Sequence, residues 1–517
     1  MAMMVRNGVP KAPMQSAERK FDADLAVLLL LAALKLIFHV ATNGQYGFHR
    51  DELQTLSDAR HLDWGFVAYP PLTPFLGRIE WAWFGATLSG FRFFAALAQS
   101  VVFVVSGLMA RRLGGGRAAM LISAFAVALA PVSLSASSLL MYVTFDYLWF
   151  SLLAYFVICR IESGDARWWL AIGAAVGLGM MTKYTMAFFT VGLGAGVLLT
   201  PLRTDLSSKW LWLGALLALA IFLPNLIWLA QHDFITLTFL EYIHARDVRI
   251  GRSDGFFLDQ FYIATNFVEV PLWLLGLWFV FVAEQGRRWR ILGWMALVPF
   301  AIFVVARGRG YYAAPLYPML FAAGAVQLQA FIHSLRATTW RRVAWATSFA
   351  VVFCGVIVLR VCLPLAPVNS ERWEVVNRFN HDFREEFGWP ELARENARIW
   401  QTLTPEEHEH AAIYASNYGE AGALELYGPQ YGLPPVISAV NSFWLRGAGD
   451  PSVRTILVNG SERKYWEPFC DSLELAGHTS NDAHVANEET ERHPEIFVCR
   501  GVRKSLRERW PTLPEFG

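Results

Sequence analysis

Polarity along this chain changes in long blocks. Apolar runs of bilayer-spanning length, roughly 17–25 residues, centre near residues 33, 101, 124, 149, 175, 193, 220, 272, 298, 321 and 352, and short polar segments separate them. The pattern predicts a polytopic α-helical membrane protein with about eleven transmembrane helices. The segments around 124, 175 and 193 are the shortest. Beyond residue 364 the pattern changes: short β-like runs at 411–416, 454–459 and 495–499 alternate with polar helix-like stretches such as 374–387. The expected division is a transmembrane part over 1–364, with loops at 43–90 and 231–262, and a soluble α/β domain over 365–517. The latter is of ordinary domain size.

Composition supports this reading. Of 517 residues, 55% are hydrophobic and 17% are charged, against roughly a quarter charged in soluble domains. The formal net charge of +1 carries no polyanion-binding signature, so a nucleic-acid partner is not expected. The first apolar run has no clear cleavage site after it and reads as an uncleaved signal anchor. Lys and Arg collect in Arg19/Lys20 and in the short loops 111–117, 160–167, 201–209, 284–290 and 333–342. If these face the cytoplasm, the N-terminus lies inside and residues 365–517 lie outside. The expected location is a membrane crossed many times by the chain.

Cys159, Cys354 and Cys362 lie in or beside apolar runs, where inert packing is expected. Cys470 and Cys499 lie in the polar C-terminal part and could pair if it faces an oxidising compartment. Glycines at 173, 177, 192, 194 and 196 suit close helix packing in lipid.

Chemistry enters at the first external loop, "GFHRDELQTLSDARHLDWGFVAYPPL" (47–72). Leu53, Leu56 and Ala59 recur at helical spacing, which predicts a short amphipathic helix at the membrane surface. Asp51 with Gln54 matches a capping-box variant, so Asp51 is readable as an N-cap, as a reactive carboxylate, or as both. Pro70-Pro71 imposes extended backbone, and Trp64, Phe66 and Tyr69 are candidate interface anchors.

The stretch 48–79 resembles the first external loop of bacterial membrane glycosyltransferases of the GT-C superfamily. These are relatives of dolichyl-phosphate-mannose protein mannosyltransferase, in glycosyltransferase family 39. "GLGMMTKYTMAFF" (177–189), "PNLIWLAQHDF" (224–234), "RGRGYYAAPLYP" (307–318) and "YGEAGALELYG" (418–428) are also similar to this family. The resemblance implies a GT-C-like fold and transfer of a sugar from a polyprenyl-phosphate donor to a lipid, glycan or protein acceptor on the extracytoplasmic face. It further implies an Asp of the Asp-Glu pair as base, which is Asp51 here, with its neighbour Glu52 as the second candidate catalytic residue.

Such a reaction needs a base for the acceptor hydroxyl and cations for the leaving phosphate. A single base suggests inversion, by analogy with inverting glycosidases. Lys183, Arg307 and Arg309 stand on the side where short loops otherwise avoid positive charge. They are candidate phosphate contacts, and Tyr311, Tyr312 and Tyr69 join them as candidate substrate contacts. The competing reading makes Lys183 a snorkelling lysine and the tyrosines interface anchors. The run 231–262 contributes Arg246, Arg249 and Arg252 as a solvated or headgroup-facing surface. Asp146 inside an apolar run suggests function or a packed, bonded carboxylate. His49, Asp51 and Glu52 do not form a standard zinc motif. No metal ligands are assigned and no cofactor is expected, although the resemblance leaves a divalent metal open. The rival class is a transporter or lipid flippase, which would predict matched halves with broken spans and charges at the bilayer midplane; neither is evident.

Overall fold

The structure, a computed structural model, describes residues 12–503 and 506–517, with side chains from residue 23 onward except at 344 and 348. The side chains of Arg19 and Lys20 lie outside that set. Each of the eleven apolar centres falls within a helix, because a backbone in lipid must satisfy its own hydrogen bonds. Among the described residues seven helices are long and apolar enough to cross a membrane, or nine if each of two bent pairs is one span. The segments around 124 and 193 are those bent pairs. The first breaks by 65° between Leu129 and Pro131, the second by 101° between Leu199 and Pro201. Each break falls where proline removes a backbone donor. The two remaining centres sit in shorter apolar helices, Trp168–Met180 and Val270–Phe281.

The Trp168–Met180 helix lies directly on Lys209–Gln231. A Cβ on Gly173 would stand 2.0 Å from the Gly214 carbonyl oxygen, so only glycine permits this approach. Gly177, Gly192 and Gly196 are similarly close to their neighbours, whereas Gly194 faces open space.

Three helices build the N-terminal end of the site: α1 (Ala12–Thr42), α2 (Arg50–Arg60) and α3 (Leu72–Phe84). The expectation of a surface-lying α2 is corrected. Leu53, Leu56 and Ala59 are buried, and so are Glu52, Gln54, Thr55, Ser57 and Asp58 on the other faces. The polar face is covered by the C-terminal helix Tyr418–Tyr427, where a Cβ on Gly422 would meet the Leu53 carbonyl at 2.7 Å. Among the expected anchors, Trp64 is exposed but Phe66 and Tyr69 are buried. After Pro70-Pro71 the chain re-enters a helix at once, with Pro71 at the N-cap of α3.

The C-terminal part contains a five-stranded mixed sheet in the order β2-β1-β3-β5-β4. Its strands are β1 (Ala411–Ala415), β2 (Val436–Ile437), β3 (Thr455–Asn459), β4 (Ser472–His478) and β5 (Glu495–Arg500). β1 runs parallel to β2 and β3, while β5 is antiparallel to β3 and β4. The three β-like runs of the sequence are β1, β3 and β5; β2 is too short and β4 too polar to stand out. Cys470 and Cys499 form a disulfide with Cα atoms 5.4 Å apart. One face of the sheet is continuous with the loop core. Phe48, Leu53, Leu56, Phe91 and Leu140 share a hydrophobic cluster with Trp389, Leu392, Ile413, Leu424 and Leu457. The loop after α1 is thus packed from both sides.

Candidate active site

Helix α2 begins with a cap that the sequence pattern assigned to the wrong residue. The N-cap is His49, whose Nδ1 accepts from the Asp51 amide at 3.2 Å, while the Glu52 carboxylate accepts from the His49 amide at 3.0 Å. Asp51 sits two positions further in, and its side chain is released from capping. One of its oxygens, Oδ1, accepts from the Tyr418 hydroxyl at 2.8 Å. Among the described residues no cation stands within 4.0 Å of the Asp51 carboxylate.

Glu52 has the opposite surroundings. It is fully buried, and Arg92 grips it through Nε at 2.9 and 3.1 Å and through Nη2 at 2.6 Å. The Leu140 amide adds a bond at 3.0 Å. The guanidinium also donates to the carbonyls of Asn43 and Gly47 and reaches Glu386 at 3.4 Å. Burial pushes the Glu386 carboxyl up to about 7, with Arg92 acting against it. This assembly ties the start of the loop to the helix that starts at Phe93. His49, Asp51 and Glu52 do not converge on one point. Among the described residues no group of three or more His, Cys, Asp or Glu side chains is arranged to hold a metal ion.

Lys183 stands on the turn between Trp168–Met180 and Met186–Leu199, its ammonium enclosed by aromatic faces. Nζ lies 4.2 Å from the ring centre of Tyr312 and 5.3 Å from those of Tyr311 and Tyr142. Asp146 is 4.0 Å away and accepts from Thr185 at 2.9 Å. A single cation over three tyrosine faces is stabilised yet keeps its charge available to an anion. Arg309 stands beside this cage and acts electrostatically on Tyr311, Tyr312 and Tyr142. Its guanidinium is held by the buried Asp247 in a two-pronged bond of 2.6 and 2.9 Å. Arg307 is not brought in. It pairs with Asp254 at 3.0 Å, and both side chains are more than half exposed.

Tyr69 connects the acid to the cage. Its ring centre is 5.6 Å from that of Tyr142, and Asp51 acts electrostatically on both tyrosines. Its hydroxyl is committed, donating to Asp58 at 2.7 Å. Arg446 from the C-terminal part takes the other Asp58 oxygen at 2.8 Å. Burial raises the Asp58 carboxyl to about 6 against these two partners.

The five stretches that carry the family resemblance meet here. The Leu72 amide of the first loop bonds the Met181 carbonyl of the "MMTK" turn at 2.9 Å. Asn225 donates to the Trp64 carbonyl and accepts from the Tyr184 hydroxyl, and Trp228 donates to Asp63. "RGRGYY" supplies Arg309 and the two cage tyrosines, and "YGEAGALELYG" supplies Tyr418. Sequence reasoning missed Tyr142, Asp247, Arg92, Arg446 and Tyr418 as parts of the site. The signals were faint: Tyr142 lies four residues before Asp146, Asp247 is the lone acid in "HARDVRIGR", and Tyr418 opens a similarity stretch to which no role was given.

Taken together, the helical bundle, the loop bearing an acid and the attached sheet define a multi-pass membrane protein with a GT-C-like fold. The family model described as dolichyl-phosphate-mannose-protein mannosyltransferase matches residues 68–228. Lipid A galacturonosyltransferase RgtD of Rhizobium johnstonii is 27% identical over 262 residues, covering 48% of this chain and 53% of the relative. The match therefore spans about half the length of that curated relative. ArnT from Cupriavidus metallidurans bound to undecaprenyl phosphate aligns with a TM-score of 0.52 at 17% identity, covering 92% of this chain and 97% of that one. Its apo state gives the same values. The resemblance read from the first loop is borne out, and so is the GT-C-like fold.

Proposed function

We propose that this protein is a glycosyltransferase that moves a sugar from a polyprenyl-phosphate donor to a hydroxyl acceptor at the extracytoplasmic face of the bacterial inner membrane. The observation that carries the reading is the placement of two unlike groups on either side of the Tyr69–Tyr142 contact. Among the described residues no cation stands within 4.0 Å of the Asp51 carboxylate, and Tyr69 touches Tyr142, one wall of the cage that holds Lys183. The similarity to a lipid A galacturonosyltransferase and to a fold seen with undecaprenyl phosphate supports the same donor class.

In this reading Asp51 takes the proton of the acceptor hydroxyl as its oxygen bonds to the anomeric carbon. The bond from that carbon to the phosphate oxygen breaks, and the polyprenyl phosphate leaves with the electron pair. Lys183 and Arg309 hold the phosphate and stabilise its growing charge. Base and leaving group act on opposite sides of the sugar, so the anomeric configuration inverts. Arg307 stands outside this arrangement. The positive charge comes from side chains and the proposal invokes no metal; full activity in the presence of a chelator would bear that out. The short basic loops support a cytoplasmic N-terminus and an external C-terminal part. There that part closes over the loop and faces the acceptor.

The test is transfer by the purified protein from a polyprenyl-phosphate sugar, with envelope glycans compared by mass spectrometry with and without the gene. Transfer that is absent in the wild type, or that survives Asp51→Asn, would overturn the reading.

A further inference from the structure

Tyr418 belongs to the part of the chain that sequence reasoning set apart as a soluble domain, yet it reaches the proposed base. Its backbone is fixed by one cap and by two close contacts with α2. Asn417 caps the Tyr418–Tyr427 helix, its side chain accepting from the Glu420 amide at 2.8 Å, and so sets where that helix begins. A Cβ on Gly419 would stand 3.0 Å from the Arg50 Cβ and 2.9 Å from Trp389, so the first turn lies hard against the start of α2. Gly422 repeats this closeness at the Leu53 carbonyl.

The ring is held as well. The Arg50 guanidinium lies 5.0 Å from its centre. Arg50 occupies the first turn of α2, the end at which the helix dipole disfavours a cation. Three glutamates of the C-terminal part hold it there. Glu488 bonds it directly, Glu385 is at 3.5 Å and Glu489 at 3.7 Å. These acids turn the guanidinium away from Asp51, its sequence neighbour, and lay it on Tyr418. The acid thus receives its side-chain hydrogen bond from a neutral hydroxyl. Burial raises the Tyr418 phenol far above its usual range, so it remains a donor. A carboxylate paired with arginine would be a poor base. One that has a single oxygen pinned by a neutral donor keeps the other free and correctly aimed.

We propose that Tyr418 is a positioning residue for Asp51, so that the C-terminal part completes the active site by fixing the orientation of the base. The inference deepens the proposed function and rests on Asp51 as the base.

The experiment uses the full-length protein carrying Tyr418→Phe, which keeps the ring and its contact with Arg50 and removes only the hydroxyl. Two readouts are compared with the wild type. The first is modification of Asp51 by a water-soluble carbodiimide and an amine, followed by mass spectrometry, with exposed Asp254 as the internal control. The second is the division of any rate loss between kcat and the acceptor KM. The expected result is Asp51 modified several-fold faster, Asp254 unchanged, and kcat lowered about tenfold with little change in KM, the order expected for one hydrogen bond to a charged group. Unaltered Asp51 labelling, or faster labelling of Asp254 as well, overturns the positioning role. If Asp51→Asn stays active, the catalytic reading falls, yet the labelling still reports whether Tyr418 holds Asp51.

Discussion

Arg92 and Glu52 form a fully buried pair whose closest contact, from Nη2 to Oε2, is 2.6 Å. It determines which of two adjacent acids is left free. Glu52 accepts from Arg92 and from two backbone amides, so its carboxylate serves the architecture of the loop. Removing Arg92 would strand that charge in the core. Arg92→Met is expected to destabilise the protein by about 3–5 kcal/mol, read as a large fall in the thermal midpoint in detergent. Glu52→Gln is expected to cause a loss of the same kind, with activity falling in step with folded protein.

Asp51→Asn should behave differently. The residue is half-buried and makes one side-chain hydrogen bond, so the thermal midpoint should stay near that of the wild type. Transfer should fall by roughly 100- to 10,000-fold, the usual contribution of a positioned base. Activity near the wild-type level would refute the assignment.

Lys183→Ala should raise the donor KM by roughly tenfold, the effect of losing one charge-assisted contact to a phosphate, and Arg309→Ala should do the same. Arg307→Ala, lying outside the cage, should leave the donor KM unchanged. Normal saturation by donor in the Lys183 variant would return that lysine to the interface-snorkelling reading.

The buried glutamates of the C-terminal part make stability depend on pH. Burial raises Glu420 to about 8, reinforced by Glu489 and opposed by Arg50, and burial raises Glu489 to about 7. Both Glu420 oxygens are buried without a hydrogen-bond partner among the described residues. Between the ordinary glutamate value of 4.5 and these raised values, the folded protein binds more protons than the unfolded chain. Stability therefore falls as pH rises through that window. Thermal midpoints should drop between about pH 5 and pH 8. Glu420→Gln should flatten much of that slope; an unchanged slope would show that Glu420 is not its source.

The disulfide gives a further check. Cys470 and Cys499 should resist a thiol reagent in the denatured, unreduced protein and react after reduction. Cys159, Cys354 and Cys362 should label on denaturation alone. Labelling of all five without reductant would contradict the bond.

Much of the architecture was legible in the sequence because local pattern determines it. Lipid demands internally bonded helices, so the apolar blocks gave the helix positions. Short runs of apolar, β-like residues marked β1, β3 and β5. The Asp51-Glu52 pair and Lys183 stood out because charge beside apolar runs is costly. Partnership was not legible. Glu52 finds Arg92 40 residues on, and Asp51 finds Tyr418 367 residues on. His49 rather than Asp51 caps α2 because the backbone enters the helix two residues earlier than the acid pattern suggests. The sequence by itself determined that this is a bundle of membrane helices with an acid at one mouth and a polar α/β tail. Only the tertiary structure decided which carboxylate is free, which cation is caged and that the tail reaches the acid. Helix and strand positions follow from neighbours along the chain, whereas the availability of a side chain depends on what packing brings to it from far away.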